Sequence, residues 1–107
     1  MESLIQDVRY ALRGLRRSPA FTLVALLTLA RSVAHEEAAN GITVNMILPG
    51  VIRTGIPARK GALLARKIPA RRLGTAQEVA RAALFLLSDE SGYITGAALT
   101  LSGGYLL

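Results

Sequence analysis

The sequence predicts an α/β fold in which two N-terminal helices precede a parallel sheet of about two strands. Three observations predict it. Apolar residues recur at helical spacing from Leu4 to Leu15, a β-branched apolar run (ITVNMIL) occupies residues 42–48, and a second apolar run, 97–101, follows only after a helix with its own start signal. Strand, crossover with a helix, strand is the order that implies parallel pairing through a right-handed connection.

The first helix is expected over the first seventeen residues. Leu4, Ile5, Val8, Ala11, Leu12 and Leu15 share one side, and Asp7, Arg9, Arg13, Arg16 and Arg17 take the other. Ser18 and Pro19 interrupt it and can start a second helix, because serine caps and a proline at the first position loses only an N–H that would be unpaired. This helix should run to Asn40-Gly41, where glycine supplies a left-handed cap. Its first part, Ala20 to Ala30, is apolar apart from two threonines, but eleven residues are too few to span a bilayer, which takes about 20.

Residues 42–48 are expected as a buried strand that Pro49-Gly50 turns away. Between Arg53 and Gly74 the interruptions Gly55, Pro57, Gly61 and Pro69 predict a loop with one short helix around Ala62 to Lys67. Thr75-Ala76-Gln77-Glu78 has capping-box spacing and opens a helix to about Ser88, whose apolar face is Val79, Ala82, Ala83, Leu86 and Leu87. A loop, the strand 97–101 and an apolar tail, Tyr105-Leu106-Leu107, complete the chain.

Composition narrows the function classes. At 107 residues the chain can bury a core, though a marginal one. Hydrophobic residues make up 51% and aromatics 5%, which argues against disorder and against the stacking platform that single-stranded nucleic acid needs. No nucleic-acid partner is expected. With no cysteine and one histidine, disulfides and thiolate or multi-histidine metal sites are excluded by count. The net charge of +6 is concentrated in Arg53, Arg59, Lys60, Arg66, Lys67, Arg71 and Arg72, a stretch without an acid. It could meet phosphate on nucleic acid, lipid or cofactor, but a solvated, mobile loop is the preferred reading.

Residues 31 onward carry a resemblance. The string RSVAHEEAANGITVNMILPGVIRTG is similar to the segment of short-chain dehydrogenases/reductases that follows their catalytic Tyr-x-x-x-Lys, and RRLGTAQEVARAALFLLSDESGYITGAALTLSGGYL is similar to their last helix and strand. The resemblance implies the C-terminal part of a doubly wound, Rossmann-like parallel sheet over residues 31–107, in a cytoplasmic, NAD(P)-dependent oxidoreductase family. Residues 2–30 (ESLIQDVRYALRGLRRSPAFTLVALLTLA) resemble instead the amino-terminal start of a bacterial ABC-transporter permease of the macrolide-exporter type. The two resemblances divide the chain at Arg31 and imply a fusion.

The family's chemistry needs a tyrosine general acid, a lysine four residues on and a serine. Extending the family register back from Arg31 places Pro19 and Leu23 at the tyrosine and lysine positions, and neither can transfer a proton. The sequence also contains no G-x-x-x-G-x-G or G-x-G-x-x-G turn for a pyrophosphate. No residue is therefore assigned a catalytic role, and no tightly bound cofactor is expected. What persists is the P-G-x-x-x-T turn. By resemblance, Pro49, Gly50, Ile52 and Thr54 are the residues beside a nicotinamide, with backbone near Ile52 at the carboxamide and Thr54 near a phosphate. NAD and NADP both remain open. Gly50 is expected to permit close backbone approach or a positive φ. An inherited turn without binding is the favoured alternative, since affinity needs several groups converging in one pocket.

Other candidates are weaker. Asn45 is read as structural. His35 with Glu36 and Glu37 could act as a hydrolytic base toward Ser32, Ser88 or Ser102, but a solvated histidine on a polar helix face accounts for it as well. The family's V-D-G-G is Leu101-Ser102-Gly103-Gly104 here, without the aspartate. The expected behaviour is a truncated family member that cannot transfer hydride alone and self-associates as a homo-oligomer, because a strand without its neighbours leaves backbone groups unpaired. The alternatives are a membrane-associated polypeptide held by the basic amphipathic helix, a residual nicotinamide-binding module, and a secretory signal at the N-terminus.

Overall fold

A computed structural model describes residues 2–105; the side chains of residues 14–16 and the tail residues Leu106 and Leu107 lie outside that description. The order of elements is α1 (Glu2–Arg17), α2 (Pro19–Glu37), β1 (Met46–Pro49), α3 (Ala58–Ala65), α4 (Ala76–Leu87) and β2 (Ala98–Leu101). Short 3-10 turns follow α2 at Ala38–Asn40 and α4 at Asp89–Ser91.

The two N-terminal helices form as expected, with one difference at their junction. The Ser18 side chain makes no cap hydrogen bond. Its carbonyl instead accepts the Thr22 N–H at 3.0 Å and the Thr22 hydroxyl at 3.1 Å, closing the first turn behind Pro19. Helix α2 runs unbroken through Arg31 and tightens into the 3-10 turn three residues before Asn40. Gly41 then adopts φ 75°, a left-handed cap whose N–H donates to the Ala38 carbonyl.

β1 and β2 pair in parallel, Met46 opposite Ala98 through Pro49 opposite Leu101. β1 is shorter than the expected 42–48 run and shifted toward its C-terminal end. Side chains hold the segment before it: the Thr95 hydroxyl accepts the Val44 N–H at 3.1 Å, and the Asn45 amide donates to the Ile94 carbonyl and accepts from the Ala97 N–H. The cause is Gly96, whose φ of 74° takes the chain out of extended conformation just where the ladder would otherwise begin. Pro49 fits at the other end because the β1 donors toward β2 are Met46 and Gly50. An odd-numbered residue points its N–H position to the free edge, where proline is tolerated.

Most of the core lies in the segment between α3 and α4, and helix α2 adds one residue to it. Among the described residues its buried apolar members are Ala34, Ile68 and Leu73. The expected helix at 62–67 begins four residues earlier, because Pro57 with extended ψ sets its start and its carbonyl accepts the Gly61 N–H. Gly61 does not break the helix, and its face is turned to Leu73, whose Cδ1 would stand 3.4 Å from a Cβ there. The basic stretch is accordingly not simply a mobile loop. It contains α3 and the 2%-exposed Ile68.

Helix α4 starts with a complete capping box. Thr75 Oγ1 accepts the Glu78 N–H at 3.1 Å and Glu78 Oε1 accepts the Thr75 N–H at 3.2 Å. The polar residue Ser91 is buried without penalty, its hydroxyl donating to the Leu86 carbonyl at 2.9 Å.

Candidate functional site

Open α/β sheets place ligands beyond the C-terminal ends of their parallel strands. Here that region is a cleft of about 250 Å³, walled by Ile52 after β1, by Thr100 and Ser102 at the end of β2, and by Arg72, Gly74 and Glu78 from the segment entering α4. Its volume falls below the roughly 300–1,000 Å³ of most small-molecule sites.

The floor of the cleft is an isolated parallel bridge between Ile52 and Gly74. The Gly74 N–H donates to the Val51 carbonyl at 3.0 Å, and the Arg53 N–H donates to the Gly74 carbonyl at 2.8 Å. Both bonds use the neighbours of Ile52, so its own N–H and C=O face away from the bridge without a hydrogen-bond partner among the described residues. The bare face of Gly74 leaves room for the Ile52 side chain, since a Cβ there would come within 2.8 Å of Ile52 Cδ1 and push that methyl aside.

The rim is electrostatic. Arg72 grips Glu78 with two nitrogens, at 2.7 and 2.9 Å, in the bidentate geometry that suits guanidinium and carboxylate. The Arg72 hydrogen bonds hold the Glu78 carboxyl down from the ordinary 4.5 to about 2, against a smaller opposing effect of desolvation and with help from Thr75. The same pairing raises the Arg72 guanidinium. Glu78 thus closes the capping box and anchors an arginine at once, with a side chain still 41% exposed. Arg71, next to it, has a φ of 60°, unusual for a residue with a side chain, and donates to the Arg66 carbonyl at 2.7 Å.

Of the four expected nicotinamide contacts, only Ile52 lines this cleft. Pro49 closes β1, and Thr54 is exposed in the turn beyond it. Gly50 has no positive φ; it is needed for close approach, but to β2, since a Cβ would lie 3.0 Å from Ser102 Cα. The residues present therefore do not fit an intact dinucleotide. They offer one unpaired backbone pair suited to an amide and no anion cradle joined to it. Sequence reasoning missed Arg72, Gly74 and Glu78. The spacing R-L-G-T-x-x-E contained the signal, an arginine six residues before a capping-box glutamate across a glycine.

The remaining candidates separate. Asn45 is structural, as the two bonds above show. Ser32, His35 and Glu36 line a wide, open depression along α2, but the Ser32 hydroxyl donates to the Thr28 carbonyl at 2.9 Å. The Ser88 hydroxyl is likewise committed to Phe85, and Ser102 lies at the cleft beyond β2. Among the described residues no group of three or more histidine, cysteine or acidic side chains could hold a metal ion, and no helix is long and apolar enough to cross a membrane.

Comparison with known proteins places this geometry. A family profile described as enoyl-(acyl carrier protein) reductase matches residues 20–106, reaching back across the junction expected at Arg31. The FixR protein of Bradyrhizobium diazoefficiens is 45% identical over 87 residues, 79% of this chain and 31% of its own length. The 3-oxoacyl-[acyl-carrier-protein] reductase FabG of Escherichia coli is 45% identical over 84 residues, 74% of this chain and 34% of its own. The chain thus spans about a third of the length of the curated relatives it matches. Among solved structures, YwfH, an NADPH-dependent reductase involved in bacilysin biosynthesis, superposes with a TM-score of 0.69 at 31% identity, over 78% of this chain and 37% of that one. A short-chain dehydrogenase from Bacillus anthracis does so with a TM-score of 0.69 at 36% identity, over 78% and 34%.

Proposed function

We propose, on the premise that the chain belongs to the short-chain dehydrogenase/reductase family, that these 107 residues are a Rossmann-like α/β module that does not transfer hydride by itself. One observation carries the reading: the family register sets Pro19 and Leu23 where the tyrosine and lysine act, both within helix α2. Proline and leucine have no proton to give and no charge to hold a phenolate. The cleft beyond the strands supports it, since Ile52 offers an amide-sized contact and the rim arginine is already paired. NAD or NADP would meet Ile52 weakly, and a nicotinamide fragment would meet it as well as the whole dinucleotide.

Self-association belongs to the same reading. Leu84, Phe85 and Leu87 on α4 are 66%, 43% and 84% exposed, and among the described residues β1 and β2 have no further strand beside them. A second copy, or a longer relative, would cover both. The permease-like start of the chain is also part of this proposal and rests on its residue string alone.

The test is turnover of carbonyl and alcohol substrates with NAD(H) or NADP(H) by the purified chain, with calorimetry for cofactor binding and light scattering for mass. The expected outcome is no turnover, weak binding at most and a mass above 11.4 kDa. Turnover that tracks with the protein through gel filtration and survives Thr54→Ala would require a different active site.

A further inference from the structure

Every described side chain of α1 is exposed, including its apolar ones: Leu4 at 64%, Val8 at 51% and Leu12 at 55%. At 3.6 residues per turn Leu4, Ile5, Val8 and Leu12 fall within an arc of about 100°, the width of a stripe that ordinarily faces a core. No core faces it. Helix α2 leaves part of its own first half exposed as well, with Phe21 67% and Val24 61% exposed and no charged residue between Pro19 and Ala30, although Thr22, Leu23, Leu27 and Ala30 are half-buried.

The charges of α1 are placed to one purpose. Ile5, Arg9, Arg13 and Arg17 form one i, i+4 row directly beside the apolar row Leu4, Val8, Leu12. Helix α1 carries four arginines against two acids, Glu2 and Asp7, and both acids sit in its first half. A second copy would bring the same positive excess to the contact. A surface of negative charge with an apolar layer beneath it supplies the complement to both rows at once.

We propose that α1 and the uncharged first half of α2 form a docking face for an anionic lipid surface, lying in its plane with Leu4, Val8 and Leu12 buried and Arg9, Arg13 and Arg17 at the headgroups. Helix α1 is about 24 Å long and lies flat rather than spanning, since a 16-residue helix at 1.5 Å per residue cannot cross the hydrocarbon layer. Apolar burial and headgroup attraction act together in such helices, so removing either weakens binding. This face is independent of the cleft and of the α4 surface.

Vesicle flotation of the full chain tests it, using phosphatidylglycerol–phosphatidylcholine vesicles against phosphatidylcholine alone, at low and high salt. The expected result is binding to the anionic vesicles only, weakening as salt rises. Replacing Arg9, Arg13 and Arg17 together by glutamine, which keeps helix propensity, should weaken binding by about a hundredfold, since each arginine near an anionic surface contributes several-fold. Val8→Glu should abolish flotation and leave the lipid-free mass unchanged. No flotation of the parent chain, equal flotation on neutral vesicles, or a fall in the lipid-free mass of Val8→Glu would overturn the proposal, the last by assigning the face to a second copy.

Discussion

Between Glu2 and Ala30 no described residue is buried, although more than half of them are apolar; between Val44 and Gly104 nearly every turn is tied by a named hydrogen bond and the chain closes over Ile68 and Leu73. The two regions do not differ in apolar content so much as in the presence of a second surface. A helix contributes one stripe, and a stripe gains nothing until another element covers it. Around β1 and β2 the connecting segments supply that cover. The Ala70 N–H donates to the Gly103 carbonyl, and the loop carrying Ile68 folds over the end of β2. Family membership follows this division only in part: the region built on the paired strands lies wholly inside the match and α1 outside it, while residues 20–30 of α2 lie inside it.

The largest expected effect lies at the tightest part of the well-tied region. Gly103 has a φ of 62°, and a Cβ there would come within 3.0 Å of Ala70 Cβ and 3.1 Å of Ile68 Cγ2. Gly103→Val combines left-handed strain with overpacking and should cost roughly 3–5 kcal/mol, read as a fall in the urea midpoint. A loss below about 1 kcal/mol would mean that the loop over β2 is as loosely held as α1.

Ala30→Pro comes next and asks whether the regions are energetically separate. It removes a hydrogen bond inside α2 and should cost about 3 kcal/mol locally. Helical circular dichroism should fall by the share of the upstream half, while amide exchange at Met46 and Gly50 stays slow. Loss of that protection would show that the first half of α2 supports the sheet after all, through Leu26, Leu29 and Ala30 beside Val44 and Met46.

Acid titration should produce a smaller change. The Glu78 carboxyl is depressed in the folded chain from 4.5 to about 2. Its contribution is therefore fully present above pH 4.5 and is lost as pH falls toward 2. Glu78→Gln should flatten that part of the stability profile, and salt should shrink it in the parent chain because both partners are exposed. An unchanged profile would remove the Arg72–Glu78 pair from the list of ties. The smallest effect is expected in the open region: Leu12→Ala should shift the lipid-free melting midpoint by no more than about 0.5 kcal/mol equivalent, as for a surface substitution. A cost of 2 kcal/mol or more, the range of a core leucine, would place that side chain in a contact, on the roughly 2–5 kcal/mol scale of such losses.

Much of this architecture is legible residue by residue. Both helix boundaries at Ser18-Pro19, the cap at Gly41 and the capping box at Thr75 are local chemistry, satisfied within four residues of where they stand. The parallel order of the strands follows from the crossover between them. The site was less legible. Ile52 was found through the P-G-x-x-x-T turn, but its unpaired backbone depends on Gly74, twenty-two positions away, bonding the residues on either side.

By itself, then, the sequence determined which segments are helical, where the local start and stop signals lie, and which family their order belongs to. Tertiary structure alone decided the strand ends, the burial of Ile68 and Leu73, the commitment of Arg72 to Glu78, and the exposure of α1. The physical reason is range. Caps and periodicity are settled by groups a few bonds apart, whereas a ladder register, a close approach at Gly50 or Gly103 and the covering of an apolar stripe each depend on a surface brought in from elsewhere in the chain.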